Sequence, residues 1–243
     1  MGIGKINVKA NLAKMGGGSF FRDVGDGETV VFRFMPADED GILFIKSFNH
    51  WGFKNSETGR GLALADLKEH GTEETGYEDY IARLSEVLMD FPEGSREWDI
   101  GDKIKGNNRF YGQGYEMTIQ SDGTFKHEYK FLSVPITGAK SVLAVATDCA
   151  ALGESDFTDS DEGQAVLVGR TGTAFKTKYT ASRSGRISSL GDAMPAWKDN
   201  YLTVTEMYSK LKLVLHTPEE QKEIAMFSFP DLDWDMLKTE YNL

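Results

Sequence analysis

GQAVLVGRTGTAFKTKYTASRSGRISSLG, residues 163 to 191, holds five basic residues (Arg170, Lys176, Lys178, Arg183 and Arg186) and no carboxylate, in a chain whose formal net charge is -11. Thr-rich segments on either side of Thr171-Gly172-Thr173 read as two strands of a hairpin. Alternate residues of a strand face the same way, which predicts Arg170, Lys176 and Lys178 on one face. Phe175 and Tyr179 sit among these cations. Such interleaving suits single-stranded nucleic acid, because cations follow the phosphates while a ring stacks on any base without reading it. The plainer reading is a solvated basic face over two core aromatics.

Working outward, the hairpin is preceded by an acidic loop, Glu154 to Glu162, and by Lys140 to Leu152, where Val142, Val145 and Cys149 mark one side of a short helix. Before that, Gly101 to Gln120 and Phe125 to Ile136 form a second hairpin across Ser121-Asp122-Gly123. Here Lys103, Lys105 and Arg109 precede Phe110, Tyr111 and Tyr115, a second interleaving of cations and rings. Earlier still, Glu28 to Met35 alternates as a strand, and Ile42 to Phe48 is expected to fold back on it as a first hairpin. Tyr77, Tyr80, Ile81, Leu84, Val87, Leu88 and Phe91 recur at helical spacing and stop before Pro92, predicting an amphipathic helix over 77–91.

The ends differ in character. Lys5, Lys9 and Lys14 precede Gly16-Gly17-Gly18, so residues 1–19 read as a flexible basic arm, either docking on a neighbouring molecule or a disordered tail. After Pro195, Thr203 to Leu215 and Pro218 to Phe227 read as helices, followed by a short acidic tail in which Asp231, Asp233 and Asp235 surround Trp234. Six strands in three hairpins, with a helix between the second and third, predict a mainly β chain: an OB-fold-like barrel core over 20–195 decorated with helices, with C-terminal helices and tail over 196–243.

Composition narrows the function. Hydrophobic residues make up 40% and aromatic residues 12% of 243, a folded chain with ample core. Cys149 is the sole cysteine, which excludes an intrachain disulfide and multi-cysteine zinc sites and is compatible with the cytoplasm. No apolar run reaches the length of a membrane span. Acidic residues are segregated from the basic hairpins, and charge beyond about 8 Å is screened, so a local positive groove can persist in a negative chain. Chemistry is harder to find. Lys176 follows phenylalanine where a phosphate-cradling loop needs glycine, no Gly-x-Ser-x-Gly turn occurs, and His50, His70, His127 and His216 are scattered. Asp231, Asp233 and Asp235 imitate a calcium loop, but Met236 stands at the glycine position and Asn242 at the glutamate position. No cofactor or metal is expected, and no catalytic residue is assigned.

Several patches resemble the single-stranded DNA-binding, helix-destabilising protein family of T-even-type bacteriophages: TVVFRFMP (29–36), NHWGFK (49–54), the run into Arg109-Phe110-Tyr111, and GQAVLVGRTGTAFKTKYTASRSG (163–185). The resemblance implies an OB-fold cleft for single-stranded DNA, a basic N-terminal arm for cooperative self-association, and an acidic C-terminal region contacting replication or recombination proteins. It makes Arg109, Tyr111, Phe175, Lys176, Lys178 and Tyr179 cleft residues. That family holds a structural zinc through one histidine and three cysteines, whereas here only His50 matches and residues 59–80 contain no cysteine. The expectation is therefore sequence-independent binding of single-stranded DNA in phage replication, recombination or repair. Phosphates would be held by Lys103, Lys105, Arg109, Arg170, Lys176, Lys178, Arg183 and Arg186, and bases stacked on Tyr111, Tyr115, Phe175 and Tyr179. Partners would meet Asp231, Asp233, Trp234 and Asp235. The rival readings are an assembly adaptor that binds no nucleic acid, and a metal-dependent nuclease using Asp156, Asp159, Asp161 and Glu162.

Overall fold

The computed structural model describes residues 20–122, 124–172, 176–195, 197–211 and 215–243; the expected arm over 1–19 and Phe175 lie outside them. The strands are β1 (Phe21–Asp23), β2 (Thr29–Phe34), β3 (Ile45–Lys54), β4 (Gly61–Ala65), β5 (Asn107–Ile119), β6 (Phe125–Val134), β7 (Gln164–Thr171) and β8 (Lys178–Ile187). The helices are α1 (Leu67–His70), α2 (Tyr80–Met89), α3 (Arg96–Ile104), α4 (Ile136–Leu152), α5 (Leu190–Ala193), α6 (Trp197–Asn200), α7 (Val204–Leu211), α8 (Pro218–Ser228) and α9 (Trp234–Tyr241). Strands are thus decorated with helices, as expected, in a mixed α/β chain. It divides into two units, Met1–Pro36 with Gly112–Ser133 and Ser141–Tyr201, and Ala37–Tyr111 with Val134–Lys140 and Leu202–Leu243. The expected core over 20–195 is therefore split, and the C-terminal helices belong with the 37–111 segment.

In the first unit the strand order is β1-β6-β5-β2-β7-β8, antiparallel except that β1 runs parallel to β6. Among the described residues β1 and β8 end the order, so the sheet is not closed into a barrel. β2 is central because Val30, Phe32 and Phe34 alternate and all three are buried, each worth about 1.5–3 kcal/mol of apolar transfer. Phe32 lies opposite Glu116 on one side and Val166 on the other. Both edges of β2 are thus taken, and the expected hairpin with 42–48 does not form; that segment opens β3, which pairs with β4 and β5. The two other expected hairpins, β5–β6 and β7–β8, are present. α4 buries the predicted stripe of Val142, Val145 and Cys149, and Ser141 Oγ donates to the Tyr179 carbonyl at 3.1 Å.

Arg33 lies on the face of β2 opposite Phe32 and Phe34 and is also fully buried. Its guanidinium donates to the carbonyls of Ser188 (2.7 Å), Phe34 (2.6 Å), Phe157 (3.1 Å) and Asp159. Burial lowers its pKa to about 10, against the pull of Asp159 and Asp156, so it stays charged at neutral pH. One side chain therefore pins the acidic loop and the segment after β8 to the sheet.

In the second unit β3 is flanked by β4 and by the first residues of β5, Asn107 to Tyr111. α2 forms where periodicity predicts it, opened by Asp79, whose carboxylate accepts from Ala82 N, and it buries Ile81, Leu84 and Leu88. α3 occupies residues 96–104, so Gly101 to Ile104, expected to open the second hairpin, are helical instead. Ser95 caps it, Glu97 and Asp99 fill its first turn, and Gly106 at φ 85° ends it. The presumed tail is also folded. Leu232, Leu237 and Leu243 are buried with Ile81, Leu84, Ala225 and Phe229, and Trp234 Nε1 donates to the Phe229 carbonyl.

Candidate nucleic-acid interface

Lys103, Lys105, Arg109 and Tyr111 belong to the second unit, and Tyr115, Arg170, Lys176, Lys178, Tyr179, Arg183 and Arg186 to the first. Register decides which of the latter share a face. Arg170 lies opposite Tyr179, Val168 opposite Ala181 and Val166 opposite Arg183, so these six share one face. Thr171 lies opposite Lys178, Gly169 opposite Thr180 and Leu167 opposite Ser182 on the other. Arg170 and Lys178 therefore do not share a face, contrary to expectation. A turn at Gly172, φ 85°, sets the pairing, and a register offset by one residue reverses every side chain.

The two faces differ in what their cations do. Arg170 is half-buried, with Nη1 donating to the Val24 carbonyl at 3.1 Å. Arg183 pairs with Glu154 and lies 4.0 Å from Cys149 Sγ. Both therefore serve the packing of their own unit. Lys176 and Lys178 are exposed, with Thr180 and Ser182 beyond them. The ion pairs formed in this unit among the described residues use Arg22, Lys126, Lys130 and Arg183 instead. Tyr179 is half-buried, and Arg186 lies further along β8.

The aromatic expectations are corrected at two positions. Tyr115 is 6% exposed and packs with Met35, Leu190 and Met194, its hydroxyl accepting from Asn200 Nδ2 at 2.9 Å. Burial raises its pKa, which the Asn200 hydrogen bond only partly offsets. Tyr111 is 9% exposed, opposite Ile45. Neither offers an open ring face, because β5 is buried on both sides from Tyr111 to Tyr115. In the second unit Lys103 is exposed, Lys105 is exposed but paired with Asp102 at 2.6 Å, and Arg109 is half-buried opposite Ser47.

The acidic segments are also engaged. Asp156 Oδ1 accepts from Thr158 N and Oγ1, Asp159 Oδ1 from the backbone of Asp161 and Glu162, and Glu162 from Ser155 Oγ. These carboxylates shape their own loop. Asp231 pairs with Arg96 at 2.7 Å, and Asp233 caps α9 by accepting from Met236 N. Asp235 remains exposed, and Trp234 is partly buried.

Sequence reasoning missed a buried polar centre in the second unit. His50 is fully buried, with Nδ1 2.8 Å from the Ile104 carbonyl and Nε2 3.1 Å from Asp66 Oδ2 and 3.4 Å from Asp79 Oδ1. A carbonyl only accepts, so Nδ1 carries a proton; two carboxylates facing Nε2 place a second proton there, making an imidazolium. Burial alone would lower the His50 pKa, but hydrogen bonds to Asp66 and Asp79 and the Asp79 charge outweigh it and raise it to about 9. Burial likewise opposes Asp79, yet His50 and the backbone of Leu67 and Ala82 hold it at about 2. Asp66 caps α1 and Asp79 caps α2, and Gln221 of α8 donates to Asp79 Oδ2 at 3.0 Å. The imidazolium thus ties three helices to β3. The same three residues put ligand atoms within 4.8 Å of one another and are the set able to hold a metal ion among the described residues, but here their hydrogen bonds complete one another. Asp66 and Asp79 each precede a helix and read as caps; nothing in the sequence links them to His50.

No helix among the described residues is long and apolar enough to cross a membrane. No family model matches the sequence, and no curated protein does.

Proposed function

We propose that this chain is a sequence-independent single-stranded DNA-binding protein of the T-even phage kind, serving replication, recombination or repair without catalysis of its own. The order of the first unit supports an OB-like module. β2, β5, β6, β7 and β8 are five strands with α4 between the third and fourth, paired β2 to β5, β5 to β6, β2 to β7 and β7 to β8. This resembles an OB-fold left open between β6 and β8. In that scheme the loop between the fourth and fifth strands is residues 172–177, and the loop between the first and second is expanded into most of the second unit. Those are the loops with which OB-folds hold oligonucleotides.

The observation that carries the reading is the pair Lys176 and Lys178, exposed at the β7–β8 loop and outside the ion pairs of the described residues, in a chain of net charge -11. Tyr179, the next residue of β8, is half-buried on the opposite face from Lys178. The test is anisotropy of labelled oligo-dT across salt concentrations. Binding is expected to weaken with salt, and replacing Lys176 and Lys178 by Ala is expected to reduce the slope of log K against log salt by about 1.4, two phosphates at about 0.7 each. Absence of binding at micromolar protein sinks the proposal and favours an adaptor that docks an acidic protein.

A further inference from the structure

The β3–β4 hairpin carries a ring that the core leaves exposed. His50 lies opposite Leu64 and Phe53 opposite Leu62, so Trp51 and Gly52 together face the single residue Ala63. The extra residue is a β-bulge, for which Gly52 adopts φ 100°. It lets His50 and Phe53, three residues apart, both enter the core, and it turns Trp51 outward, 41% exposed. A Cβ at Gly52 would meet Lys103 Cε at 2.8 Å and Cδ at 3.2 Å, so the Lys103 stem rests on the bulge beside the ring. Trp51 also lines an open groove whose other walls are Gly52, Phe53, Lys54, Gly59, Gly61, Leu62 and Ala63.

Cations outnumber carboxylates along this hairpin. Lys54, Arg60 and Lys103 are exposed, and the second unit's ion pairs among the described residues use Lys46, His50, Arg96, Lys105 and His216 instead. Glu57 is the sole carboxylate from Trp51 to Leu62. We infer that Trp51 is a base-stacking platform for single-stranded nucleic acid, with Lys54, Arg60 and Lys103 holding phosphates of the bound strand; this rests on the reading of the chain as a single-stranded DNA-binding protein. An exposed indole beside an open groove accepts any base, since stacking needs only a π surface and room beside it. The cations set the phosphate path and make binding salt-dependent.

The test compares wild type with Trp51→Ala, Trp51→Phe and Lys103→Ala, using labelled oligo-dT and intrinsic fluorescence. Trp51→Ala is expected to weaken binding about tenfold at unchanged salt slope, as loss of one stacked base requires. Trp51→Phe is expected to retain most of the affinity while losing the part of the fluorescence quench that stacking on this indole produces. Lys103→Ala is expected to lower the salt slope by about 0.7. Equal affinity of wild type and Trp51→Ala, both folded by far-UV circular dichroism, overturns the inference and leaves the proposed function standing. Wild type that binds no oligo-dT overturns both.

Discussion

Replacing His50 by Gln is expected to remove a pH-dependent part of the second unit's stability, and the structure sets its size and sign. The folded pKa near 9 lies about 2.5 units above the ordinary value of 6.5, equivalent to about 3 kcal/mol. A raised histidine pKa stabilises fully below pH 6.5, and that contribution is lost as pH rises through 9. Wild type should therefore lose about 1.4 kcal/mol per pH unit across this window. Asp79 behaves oppositely. Its pKa near 2 against 3.8 means stability present above 3.8 and lost as pH falls through 2. Both shifts describe largely one interaction and are not additive. His50→Gln leaves two buried carboxylates without their cation, so at neutral pH it is expected to cost about 3–5 kcal/mol and to flatten the alkaline slope. Urea unfolding followed by tryptophan fluorescence at a series of pH values measures both effects, since Trp51, Trp98 and Trp234 lie in this unit. A wild-type midpoint unchanged from pH 7 to 9, or a slope that survives in His50→Gln, refutes the buried imidazolium. A midpoint lowered by EDTA shows an ion in its place.

Two further substitutions probe the supports of each unit. Arg33→Lys keeps the charge but cannot span four carbonyls, and a loss of about 3 kcal/mol in the first unit is expected by denaturant unfolding; a loss below about 1 kcal/mol means the acidic loop is held by other contacts. Gly106→Ala puts a methyl 2.4 Å from Phe48 Cε1 and 3.0 Å from His50 Nδ1 at a φ of 85°, so a loss of at least about 2 kcal/mol together with a shallower alkaline slope is expected, and an unchanged slope separates this glycine from the His50 centre.

What could be read directly from the residues is local. The helix at 80–89 follows from apolar spacing and the stop before Pro92, the stripe on α4 from Val142, Val145 and Cys149, and the β5–β6 and β7–β8 hairpins from their turn residues. Each is decided within about ten residues, where periodicity and turn chemistry operate. The concentration of cations at Lys176 and Lys178 is legible for the same reason, whereas the start of β8 at Lys178, which leaves Lys176 outside the strand, is not.

Tertiary structure decided the rest. β2 pairs with β5 and β7 instead of 42–48, because burying Val30, Phe32 and Phe34 requires neighbours on both edges. The β7–β8 register separates Arg170 from Lys178, and core packing consumes Tyr111 and Tyr115. His50 meets carboxylates 16 and 29 residues away, and the acidic tail folds because Leu237 and Leu243 find a core to enter. Local preference names the elements; which edges pair, in what register, and which side chains are enclosed depend on contacts between distant segments, whose free energy no short window of sequence contains.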